Sequence, residues 1–140
     1  MNEKISAPDN FRELLAQLRE AMLHLHKALV DSERFSYEKN IGTIPSPNHF
    51  LQLLTTDPWF AWLHPVSELI VAIDEALDAK EPLTKESAEV LLKQIRELLK
   101  VSETGEGFSQ HYYEAVQRDP DVLFAHVTAV RLFNHKKPVK

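Results

Sequence analysis

An all-α fold, an antiparallel up-down four-helix bundle with a short extra helix in its first crossover, is predicted by three features of the sequence. Apolar residues recur at three- and four-residue spacing through four long segments, alternating apolar and polar runs are almost absent, and the 140 residues include only three glycines. No internal repeat is visible. The length suits one domain, residues 1–140, able to fold without a metal or a disulfide.

The first helix, about 10–38, opens after Pro8-Asp9-Asn10 and carries Phe11, Leu14, Leu15, Leu18, Met22, Leu25 and Leu29 as one apolar stripe. Ser46-Pro47 and Asp57-Pro58 each place an N-capping side chain before a proline suited to the first helical position. They predict a short helix over about 47–55 and a long one over about 58–79. The short helix offers Phe50, Leu53 and Leu54; the long one carries Trp59, Trp62, Leu63, Val66, Leu69, Ile70, Ile73 and Leu77. Pro65 lies inside the long stripe and predicts a kink near residues 61–65 or a later helix start. Thr84 caps a helix over about 85–102 that buries Ala88, Leu91, Leu92, Ile95, Leu98 and Leu99 before Gly105 and Gly107 end it. The last segment, about 108–135, can be two helices or one rod kinked near Pro120, and the rod is favoured because Phe108, Tyr112, Ala115, Leu123, His126, Val130 and Phe133 share one broad face at about 100° per residue.

Composition narrows the functional classes. With 21 acidic against 16 basic residues, the formal charge of −5 gives no electrostatic reason to bind a nucleic acid backbone. The lysines of the C-terminal NHKKPVK read as a solubilising tail. No cysteine is present, so thiolate nucleophiles, disulfides and cysteine-ligated metals are excluded. The N-terminal MNEKISAPDNF lacks the basic start and apolar run of a signal peptide, and no stretch is long and apolar enough to span a membrane, so a cytoplasmic location is expected.

No catalytic signature emerges: there is no nucleophile elbow, no phosphate-binding glycine loop and no cofactor motif. Seven histidines among 21 carboxylates make a His and carboxylate metal centre the alternative to a non-enzymatic module. His64 and Glu68 have the HxxxE spacing of hemerythrin-like proteins, and Glu20 and His24 form the reverse pair, but the further HxxxH and HxxxxD pairs are missing. With Trp59 set at zero, the apolar stripe centres near about 330°, whereas His64 falls at about 140° and Glu68 at about 180°, both away from the core. His24 and His26 also lie off the apolar side of their helix. No cofactor is therefore expected. His126 differs, because it falls in the middle of an apolar face; a buried histidine donating to a carbonyl or tyrosine is the preferred reading over a ligand or general base. On a continuous helix His111 would lie about 22 Å from it, too far to share a site. The His111-Tyr112-Tyr113-Glu114 run is expected to seal one end of the bundle.

Two secondary apolar strips point to contacts beyond the main stripe. Phe60, at about 100°, and Val71, at about 120°, flank His64 and Ser67; Leu23 and Val30 do the same on the first helix. One strip is expected to be covered within the chain and the other to form a homodimer contact. The candidate binding surface is accordingly Trp59, Phe60, Trp62, His64, Ser67 and Val71, facing an unknown protein or small-molecule partner.

The stretch from Ile41 to Leu77 resembles a family of uncharacterised bacterial all-helical proteins with SPxxxLxLL and DPWFAWLxPxSxLIxxIDEAL stretches. The resemblance implies a bacterial helical domain and marks Trp59, Phe60, Trp62, Leu63, Pro65, Ser67 and Asp74 as family-like positions. It implies no catalytic residue.

Overall fold

The apolar stripe of the first segment becomes α1, Asp9–Asn40, which buries Leu14, Leu15, Leu18, Met22, Leu25 and Leu29. The computed structural model describes residues 6–135. Beyond α1 it contains α2 (Pro47–Thr56), a 3₁₀ turn (Pro58–Leu63), α3 (His64–Asp78), α4 (Lys85–Leu98), α5 (Phe108–Arg118) and α6 (Pro120–His135). The protein is all-helical: among the described residues no strand forms, and pairing outside helices is confined to a bridge between Ser6 and Thr84. No described helix is long and apolar enough to cross a membrane.

Each capping residue read from the sequence acts on its helix. Ser46 Oγ accepts from the His49 amide at 3.1 Å, Asp57 Oδ1 from the Trp59 amide at 2.8 Å, and Thr84 Oγ1 from the Ser87 amide at 3.1 Å. These bonds satisfy amides that have no partner within the helix, and so fix where each helix starts.

Residues 58–79 do not form one α-helix. In a continuous helix the Pro65 ring would collide with the Ala61 carbonyl four residues back. The chain tightens instead to a 3₁₀ turn, in which the Ala61 carbonyl accepts from the His64 amide, and α3 starts at His64 with proline in its first turn. Side chains three residues apart eclipse in such a turn, so Phe60 lines up with Leu63 and both are buried. This corrects the sequence expectation that Phe60 points away from the core. Trp62, expected on the main stripe, is only half-buried.

The last segment is also divided. Asp119 adopts an extended conformation (φ −126°, ψ 115°), and its side chain accepts from the Asp121 amide at 2.9 Å. The kinked rod expected over 108–135 is therefore two helices, with Asp119 capping the second and Pro120 opening it. The break rotates the buried face of α6 to Val122, Ala125 and Ala129 and leaves Leu123, expected inside, 45% exposed. Likewise α4 ends at Leu98 rather than near residue 102. A loop then leads to Gly107, whose φ of +59° favours glycine, and passes so close to α5 that a Cβ on Gly105 would lie 2.8 Å from Ser109 Cβ.

Long-range contacts orient the helices. Arg12 donates to the Leu77 carbonyl and Arg19 Nη1 lies 3.1 Å from Asp74 Oδ1, whereas Tyr37, at the other end of α1, packs on Phe60. α1 and α3 therefore run in opposite directions. α6 packs most extensively against α1, and Ala21 and Ala28 of α1 line one groove with Ala125 of α6. The α5–α6 corner is tied to α1 by Arg118, which donates to Ser32 Oγ at 3.0 Å and to Glu33 Oε2 at 2.8 Å.

Candidate functional site

The six residues expected to form one surface are dispersed by the 3₁₀ turn. Phe60 is wholly enclosed, between Tyr37 (ring centroids 5.4 Å apart) and Phe50 of α2 (5.8 Å). The short helix thus covers this aromatic within the chain. Trp59 meets Tyr37 edge-on at 5.6 Å, and its buried indole N–H has no hydrogen-bond partner among the described residues. Trp62 turns toward α5, stacking on His111 at 5.2 Å and packing against Phe108 at 5.6 Å. His64 is exposed, with Nε2 3.1 Å from the Leu54 carbonyl, to which its N–H form donates. Ser67 Oγ donates to the His64 carbonyl, and Val71 is exposed on the outer face of α3.

His64 and Glu68 both lie at the surface. Among the described residues no three His, Asp or Glu side chains converge on a position that could hold a metal ion, so the alternative metal reading acquires no ligand set.

His126 is half-buried rather than central to its face, and its partner is a tyrosine, one of the two kinds expected for it. Because the chain folds back at Asp119, the Tyr112 hydroxyl lies 2.6 Å from His126 Nδ1 although 14 residues separate them. The 22 Å spacing inferred for a single rod therefore does not govern this region. Tyr112 is fully buried, and desolvation pushes its phenol well above the usual range, so it retains its proton. That proton has no other acceptor among the described residues, and desolvation also lowers the His126 pKa, favouring the neutral ring. Tyr112 therefore donates to Nδ1, which leaves the imidazole proton on Nε2. Such a histidine presents a fixed donor rather than a base.

A second feature lies on the α1–α6 seam, where Ala21, His24 and Ala28 of α1 and Asp121, Ala125 and Thr128 of α6 line a groove of about 260 Å³. Phe124 stands at its edge, 74% exposed. The sequence held signals for both features. Asp119-Pro120 repeats the cap-then-proline spelling of the earlier helix starts, and Ala21, Ala28, Ala125 and Ala129 are small residues at helical spacing.

Compared with known protein families, curated proteins and solved structures, the chain matches none.

Proposed function

We propose that this chain is a non-enzymatic, self-associating helical module whose contact face is the α1–α6 seam. The observation that carries this reading is Phe124, a large apolar side chain 74% exposed beside a groove floored by alanines. A protrusion and a recess on one face are what a two-fold contact requires, since each copy supplies both halves. Phe124 of one copy filling the groove of the other would remove two apolar surfaces from water at once. The contact thereby moves from the 58–71 surface, where Phe60 is already covered by α2, to the opposite flank of α1.

We also infer that α1, α3, α4 and α6 form an antiparallel up-down bundle, with α2 and the 3₁₀ turn in the first crossover and α5 in the last. The opposed course of α1 and α3, the Ala7 amide donating to Leu83 at the start of α4, and the Arg118 tie support this arrangement. The resemblance of residues 41–77 to bacterial helical proteins belongs to the same proposal.

Sedimentation velocity over a concentration series tests the association. The wild-type chain is expected to dimerise, and Phe124→Asp to remain monomeric with an unchanged circular dichroism spectrum, because in the single chain the replaced ring is mostly in solvent. A wild type monomeric throughout, or a Phe124→Asp variant that still dimerises, would refute the reading.

A further inference from the structure

On the other side of α6, facing α4, lies a cavity of about 360 Å³ that self-association through Phe124 does not use. Its size falls within the range of small-ligand sites. Leu99, Val101, Val130 and Phe133 supply apolar walls, while Arg96, Lys100, His126 and Asn134 supply the polar side chains.

The Asn134 amide can donate or accept, whereas the other three polar groups present donors. Tyr112 occupies His126 Nδ1, so the ring nitrogen left available is a donor N–H. Arg96 lies over the Phe133 ring with its guanidinium carbon 4.6 Å from the centroid. With five N–H donors and one aromatic neighbour, the guanidinium keeps donors for a ligand. Among the described residues Arg96 has neither a carboxylate partner nor a side-chain hydrogen bond, unlike Lys100, whose ammonium is 3.2 Å from Glu97 Oε1. Among the described residues, a guanidinium without a carboxylate partner, one imidazole N–H, a partly neutralised ammonium and the Asn134 amide thus border a pocket with apolar walls and no carboxylate.

We propose that this pocket binds a small monocarboxylate with an apolar body, its headgroup on Arg96 and His126 and its hydrocarbon against Leu99, Val130 and Phe133. The planar guanidinium edge matches the two oxygens of a carboxylate. The imidazole N–H adds a neutral donor whose direction is held by the buried Tyr112, so little ordering is needed when the ligand arrives. A neutral ligand of the same shape would bury the same hydrocarbon and leave the guanidinium unanswered. A highly charged ligand would have to desolvate its remaining charges against Val101 and Val130.

Calorimetric titration of the full chain with octanoate and phenylacetate, each paired with its alcohol, octanol or phenylethanol, tests the proposal. At least one acid is expected to bind saturably, about tenfold or more tightly than its alcohol, and Arg96→Gln to weaken it by a similar factor, as loss of a charged hydrogen bond requires. Arg96 is exposed, so an unchanged melting curve should show that the variant is folded. Imidazole chemical shifts should place the acid at His126, and Phe124→Asp should bind it like the wild type, which separates this site from the association face. Failure of both acids to saturate, equal binding of acid and alcohol, or unaltered affinity in Arg96→Gln would overturn the assignment.

Discussion

Replacing Phe60 by alanine should destabilise the protein more than replacing Trp62, although tryptophan is the larger side chain. Phe60 is 0% exposed and packed between Tyr37 and Phe50, so truncation loses the whole transfer term and leaves a cavity. A cost of about 3–5 kcal/mol is expected for a fully buried phenylalanine. Trp62 is half-buried, and its contacts with Phe108 and His111 lie toward the outer side of α5. It should lose roughly half of a full tryptophan burial, about 2 kcal/mol, because solvent already reaches the ring. Urea unfolding of both variants, monitored by circular dichroism and compared at unchanged m-value, reads the difference directly. For a chain of this size the Phe60→Ala melting temperature should fall by roughly 10–20 °C. If Trp62→Ala proved as costly as Phe60→Ala or costlier, the 3₁₀ register that buries Phe60 would be wrong.

Arg118→Ala should cost about 2 kcal/mol, because Glu33, 7% exposed, would lose its counter-ion; adding Glu33→Gln should recover part of that loss in a double-mutant cycle, and no recovery would count against the ion pair. Burial lowers the pKa of both His26 and His126 from the ordinary 6.5. The unfolded chain therefore binds more protons in this range, so their contribution to stability is complete above pH 6.5 and is lost as pH falls below it. Unfolding midpoints measured at descending pH should decline over that interval, and His26→Gln with His126→Gln should flatten the decline; an unchanged slope would contradict the assignment. Asp57→Ala and Asp119→Ala should each cost about 1 kcal/mol in urea unfolding, since each removes a side-chain bond to a first-turn amide, and a zero effect at either would mean that the proline alone sets the helix start.

The sequence by itself determined the helical class, the stripe of α1 and the starts of α2 and α4. These follow from local physics: the period of apolar residues selects a helix, and a capping oxygen beside a proline marks its first turn. The same local chemistry was present at Asp119-Pro120. There a shared face at about 100° per residue favours one kinked rod, although the same Asp-Pro spelling marks a helix start at Asp57-Pro58. Periodicity cannot distinguish a rod from two helices whose faces happen to agree, because it carries no information about whether the chain turns back.

What only the tertiary structure decided is the phase after Asp57 and the pairings across the corner at Asp119. A change from about 100° to about 120° per residue over the 6 residues Pro58–Leu63 moves Phe60 from an outer strip into the core and turns Trp62 toward α5. That change depends on Pro65 excluding the Ala61 carbonyl, a contact along the chain whose outcome is settled by what α1 and α2 can pack around Phe60. The Tyr112–His126 bond, the groove beside Phe124 and the Arg96–Phe133 contact at the α4–α6 cavity all join residues from different helices. Composition supplied these side chains, but only the packing of α5 and α6 against α1 and α4 brought them within reach of one another.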